Sequence, residues 1–233
     1  MLEGFKKKFI KVNKGKIFCR IKGNGPPLLL LHGYPQTHVM WHKTAPELSK
    51  YFTVVVADLR GYGNSLVLSG GRNHINYSKR EMAKDMVQLM DKLNFETFFV
   101  AGHDRGGRVA HRMARDFRKK ILALSVLDIC PTLDMYEKTD EKFAKSYFHW
   151  FFLIQPAPLP ERMIINNPRK WIKNCLDKWS GNHKFGSVEE AYLKSFKQKK
   201  RLHASCEDYR ASATIDLEHD KKDRNKTIIL AIA

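Results

Sequence analysis

The chain has 233 residues, 43% of them hydrophobic, which is enough for one sizeable core carrying an inserted subdomain and excludes a disordered polypeptide. No apolar run approaches the roughly 18 residues of a membrane span, so no membrane partner is expected. The formal net charge is +18, but the lysines are scattered and no nucleic-acid motif accompanies them; a solvated basic surface, with no nucleic-acid partner, is the expectation.

In chain order, two amphipathic strands are expected at 5–12 and 16–22, joined as a hairpin. After the break GNGPP, the run LLLL at 28–31 and TVVVAD at 53–58 read as buried strands, the second followed by the glycine-punctuated turn LRGYGNS. Met82, Met86, Leu89 and Leu93 recur at spacings of three and four, which predicts a helix over 78–93 starting near Tyr77 or Ser78. FFVAG at 98–102 is another short apolar strand, GRVAHRMARDF a helix, and ILALSVLD at 121–128 a further strand. Short strands apolar on both faces that alternate with helices predict the α/β class, a mostly parallel sheet covered on both sides. From 132 to 213 no buried strand is expected. Helical stretches, aromatics and the break QPAPLPE predict a helical cap inserted in a core made of 1–131 and 214–233, with a last strand at TIILAIA, 227–233.

The chemistry concentrates at VAGHDRGGRVAHRMA, 100–114. Gly102 and Gly106 flank Asp104 at minus two and plus two, the G-x-Nu-x-G pattern of a tight strand-to-helix turn that exposes a nucleophile. The free N–H groups of the first helical turn favour an anion there. Asp104 as a simple N-cap is the alternative, but it leaves unexplained why Arg105 and Arg108 sit in a helical turn whose dipole disfavours cations. Two arginines suit a planar carboxylate. His32-Gly33-Tyr34-Pro35 follows the first buried strand, where turn N–H groups form an oxyanion hole or merely an ordinary turn.

Taken together, LLLLHGYPQTHVMW, DLRGYGNS, GHDRGGRVAHRMA, LDICPT, YFHWFFLIQPAPLPE and CEDYRASA resemble the fluoroacetate and haloacetate dehalogenase branch of the α/β-hydrolase superfamily, in order, from about residue 5 to 233. The resemblance implies that Asp104 attacks the carbon bearing the halogen, that Arg105 and Arg108 hold the substrate carboxylate, and that His149, Trp150 and Tyr209 surround the departing halide. It implies that Asp128 orients a catalytic histidine, that Tyr34 belongs to the oxyanion turn, and that the protein is a homodimer. Imidazole, indole and phenol can all donate to an anion, although without the resemblance His-Trp in an aromatic helix is more often plain packing, and a core residue with a satisfied hydroxyl is the alternative for Tyr209.

The expected reaction is hydrolysis of a short 2-haloacid to the 2-hydroxy acid and halide through an aspartyl ester, with a small-molecule haloacid as partner and no metal or organic cofactor. A haloalkane dehalogenase or epoxide hydrolase also uses an elbow aspartate, and a non-turnover fragment is a further alternative. The ester requires a general base, usually a histidine after the last core strand. None of the ten histidines follows TIILAIA, so the base, the last strand and the closing helix are expected to be missing. MLEGFKKKFIKVNKGKIF lacks an apolar run and cleavage site, so a cytoplasmic location is expected. Cys19, Cys130, Cys175 and Cys206 form no C-x-x-C pair and predict reduced thiols.

Overall fold

The computed structural model describes residues 1–181 and 185–224. The strand expected at 227–233 lies outside the described residues. Strands β1 (Lys6–Val12) and β2 (Gly15–Lys22) form the expected antiparallel hairpin, with Phe9 opposite Phe18. β3 (Pro27–Leu31) is buried along most of its length and leads to a short helix, α1 (Thr44–Leu48), and then to β4 (Thr53–Ala57). Helix α2 (Lys79–Lys92) is capped by the Ser78 hydroxyl, which accepts from the Glu81 N–H; Met82, Met86 and Leu89 bury its apolar stripe.

β5 (Phe98–His103) runs into α3 (Arg105–Asp116), and β6 (Ile121–Leu127) follows. The sheet order among the described residues is β1-β2-β4-β3-β5-β6, with β4, β3, β5 and β6 mutually parallel and the hairpin added antiparallel through β2 and β4. The sheet switches direction of growth between β3 and its two neighbours, β4 and β5. Such switch points place ligands beyond the carboxyl ends of the strands.

The segment after β6 is helical: α4 (Thr132–Glu137), α5 (Glu141–Ser146), α6 (Phe148–Leu153), α7 (Leu159–Ile165), α8 (Pro168–Trp179), α9 (Ser187–Phe196), α10 (Lys199–Ser212) and α11 (Ile215–Lys222). Pro156, Pro158 and Pro160 separate α6 from α7 or start the latter, where a missing N–H costs least. The larger of two buried hydrophobic clusters runs from Leu29, Leu31 and Val55 in the sheet through Tyr34 to Trp150, Ile172 and Tyr209 in the helical segment, so sheet and helical segment share one interior. No described helix is long and apolar enough to cross a membrane.

Candidate active site

The turn between β5 and α3 leaves no room for side chains at its two glycines. A Cβ at Gly102 would lie 2.4 Å from the Gly106 carbonyl oxygen, and one at Gly106 would lie 2.5 Å from the His32 oxygen. Only glycine fits either position. Between them Asp104 adopts φ 48° and ψ −115°, outside the favoured regions for an L-residue, a strain that such elbows carry. Its side chain does not cap α3, so the simple N-cap explanation fails. Instead Oδ1 accepts the Tyr34 N–H at 2.8 Å, and Oδ2 has no hydrogen-bond partner among the described residues.

The Tyr34 N–H is aimed by two buried histidines. His32 Nδ1 lies 2.9 Å from the Gly33 carbonyl, and its Nε2 accepts the Leu59 N–H at 3.1 Å; burial lowers its pKa and keeps the ring neutral. His38 contributes its N–H and its Nδ1, both 2.8 Å from Asp58, which also takes the Asn64 N–H. The loops after β3 and β4 are thereby locked together. The Tyr34 hydroxyl accepts the Trp171 indole N–H at 2.6 Å, so helix α8 holds the turn after β3 from the other side.

A cavity of about 430 Å³ opens above this turn. Asp104, Tyr34, Asp128 and His103 line its sheet end, and His149, Tyr209, Tyr147 and Trp179 the side formed by the helical segment after β6. Met40, Leu176 and Phe185 supply an apolar wall. Asp128 is exposed at φ 53°, directly after β6. His149 packs against Trp179 (4.5 Å between centroids) and edge-on to Tyr209 (5.9 Å), with Nδ1 buried and unpartnered. Burial brings its pKa down to about 4, so the imidazole is neutral and carries one N–H to donate.

Of the eight residues singled out in the sequence, Asp104, Asp128, His149, Tyr209 and Tyr34 line the cavity; Arg105, Arg108 and Trp150 are buried beside it. The guanidinium of Arg105 lies over the Tyr209 ring at 4.2 Å, and that of Arg108 over the Trp150 ring at 4.6 Å. Of the two arginines expected to hold a carboxylate, Arg105 is already engaged along one edge. Its Nε and Nη2 edge is already taken by Asp208, at 3.1 Å to Oδ2 and 2.6 Å to Oδ1, leaving Nη1 as its one unsatisfied donor. Arg108 donates Nη1 to the Cys130 carbonyl at 2.7 Å and keeps Nε buried without a partner. Sequence reading passed over Asp208, Trp171 and His103. The first lies next to Tyr209 and the last next to Asp104, but neither spacing nor periodicity distinguishes them.

Among the described residues, no three His, Cys, Asp or Glu side chains are arranged to hold a metal. A family model described as alpha/beta hydrolase fold matches residues 26–230. The chain belongs to the α/β-hydrolase fold family. Within it, a fluoroacetate dehalogenase from Burkholderia sp is 46% identical over 98% of this chain and 76% of the relative. A soluble epoxide hydrolase from Corynebacterium sp. (strain C12) is 41% identical over 48% of the chain and 37% of that protein. Among solved structures, an α/β hydrolase from Nostoc sp PCC 7120 superposes with TM-score 0.97 at 50% identity, covering 100% of this chain and 80% of its own. A mutant of a Pseudomonas aeruginosa protein described as an epoxide hydrolase, solved with bound MFA, gives TM-score 0.95 at 39% identity over 100% and 79% of the two chains. This α/β hydrolase is a hydrolytic enzyme by family, and its relatives include both dehalogenating and epoxide-opening members.

Proposed function

We propose that the enzyme removes halide from a short 2-haloacid such as fluoroacetate or chloroacetate. The observation that carries this reading is an unbalanced cation. Of the five buried arginines among the described residues, Arg60, Arg105, Arg112 and Arg210 each have a carboxylate within ion-pair distance, and Arg108 has none. A buried, unpaired guanidinium is costly unless a ligand completes it, and Arg108 Nε and Arg105 Nη1 are both buried donors without a partner, as the two oxygens of a carboxylate would require.

With the acid group held there, the Asp104 carboxylate attacks the substrate's Cα. A carbon–oxygen bond forms, the carbon–halogen bond breaks, and the halide leaves with the bonding pair. His149 and Tyr209 face the cavity as neutral donors, and Trp150 lies beside them; such donors stabilise charge developing on fluoride. Water then attacks the ester carbonyl carbon and the Tyr34 N–H that held Oδ1 stabilises the oxyanion; the acyl–oxygen bond breaks, one water proton passes to the leaving alkoxide to give the 2-hydroxy acid, the other goes to a base, and the Asp104 carboxylate is restored. Asp128, at the rim, is suited to orient the base of that step; no described residue is assigned as the base itself.

The test is incubation with fluoroacetate, acid quench, and peptide mass mapping alongside measurement of released fluoride. Fluoride release together with a carboxymethyl ester on Asp104 is expected, and Asp104→Asn abolishes both. Wild-type protein that yields neither product overturns the reading. The epoxide-opening alternative draws on the Corynebacterium and Pseudomonas relatives. Its substrates carry no charge, so turnover of an epoxide by an Arg108→Met variant would favour it.

A further inference from the structure

Asp208 is fully buried on α10, and four donors converge on its carboxylate. Tyr62 Oη lies 2.7 Å from Oδ2, Arg105 Nε 3.1 Å from Oδ2 and Arg105 Nη2 2.6 Å from Oδ1; Lys79 Nζ also donates to Oδ1. The Asp208 carbonyl and the Ser212 hydroxyl accept from the same Nη2, at 2.8 and 2.6 Å. One turn of a cap helix thus fixes the guanidinium along one whole edge. The next residue, Tyr209, lies beneath that guanidinium and lines the cavity. The remaining contacts reach the core, because Tyr62 follows β4 and Lys79 begins α2, where its N–H donates to Asp216.

We infer that Asp208 is a positioning residue for the reaction proposed above, on which this inference rests. It locks Arg105 so that Nη1 alone is delivered to one oxygen of the substrate carboxylate, and it sets the spacing between that N–H and the Tyr209 hydroxyl. An ion pair serving stability alone has no reason to leave Nη1 buried and unsatisfied, a state that is costly. It also leaves Arg105 neutralised, so the net positive charge that recruits the anion rests on Arg108. The two arginines then have different tasks, one of direction and one of charge.

The experiment follows esterification of Asp104 against haloacetate concentration, and binding of unreactive acetate by calorimetry, in wild type, Asp208→Asn, Ser212→Ala and Tyr62→Phe, with thermal unfolding recorded for each. Ser212→Ala and Tyr62→Phe leave the Arg105–Asp208 ion pair in place, so they remain informative if Asp208→Asn does not fold. Loosening Arg105 is expected to weaken acetate and haloacetate binding about tenfold or more in Asp208→Asn and several-fold in the milder pair, and to lower the maximal esterification rate. Variants that melt earlier yet bind and react as wild type below their transition overturn the inference and leave Asp208 a structural residue. If wild type binds acetate but forms no ester, the dehalogenation reading falls while acetate affinity still decides the role of Asp208; wild type that binds neither overturns both.

Discussion

At the scale of single residues, Arg105 and Arg108 differ more than their shared helix suggests. Arg105 sits in a closed ion pair with Asp208; burial works against its charge, but the carboxylate more than compensates, and its pKa rises. Arg108 has its pKa lowered, first by burial and then by the neighbouring Arg105 charge, with Asp104 alone among its carboxylate neighbours acting in its favour. Their replacement by methionine should therefore have opposite thermodynamic signatures. Arg105→Met leaves Asp208 and Lys79 with a broken network and is expected to cost about 3–5 kcal/mol in denaturant unfolding, as breaking a buried pair does. Arg108→Met removes an uncompensated buried charge and gives up only two polar contacts. It is expected to stay within about 1 kcal/mol of wild type, or to exceed it, while haloacetate binding falls by about tenfold or more. A large stability loss in Arg108→Met would show that its charge is balanced by the fold itself.

At the scale of elements, the elbow is the feature on which the site depends. With only 2.4–2.5 Å available for a Cβ against backbone atoms, Gly102→Ala or Gly106→Ala must push α3 away from β3 and β5. Either change is expected to lower unfolding free energy by about 2 kcal/mol or more, and to abolish Asp104 esterification even where the variant remains folded by circular dichroism. An active, normally stable Gly106→Ala would contradict this. The elbow was legible in the sequence for the same steric reason, since two small residues at fixed offsets from an acid mark a turn that few other residues permit. The sheet was legible too: each parallel strand is an apolar run bounded by glycine or polar turns, and β3, β4 and β5 fall within one or two residues of expectation. Helix α10 was not. It buries Ser205, Glu207, Asp208 and Ser212 together with Ala204, Cys206 and Tyr209, so it has no polar face to set its periodicity. The Asp208 carboxylate finds Arg105 103 residues away, and a pairing that distant leaves no local trace in a single sequence.

At the scale of the whole molecule, buried histidines give the stability its dependence on pH. Burial lowers the pKa of His32, and brings those of His111 and His149 down to about 4. Between about pH 4 and 6.5 the unfolded chain binds protons at these positions that the folded chain does not. Stability is therefore complete above about 6.5 and is lost as the pH falls towards 4, with His149 contributing up to ~3 kcal/mol over the window. Below about 4.5 the loss continues through carboxylates whose pKa is depressed in the folded state. Burial pushes Glu161 up, but its bonds to His203 and Arg210 outweigh burial and bring it down to about 2. His203 acts in the opposite direction: Glu161 raises its pKa, so its contribution is present below about 6.5 and lost as the pH rises. Its side chain is 40% exposed, and solvent screening keeps that term small. Urea unfolding between pH 7.5 and 4.5 is thus expected to show a midpoint that falls steadily with acidification, and His149→Gln, which cannot take up the proton, to flatten the slope. A midpoint unchanged from pH 7 to 4.5 would mean that these imidazoles protonate in place, and that His149 faces the cavity as a cation rather than as a neutral donor.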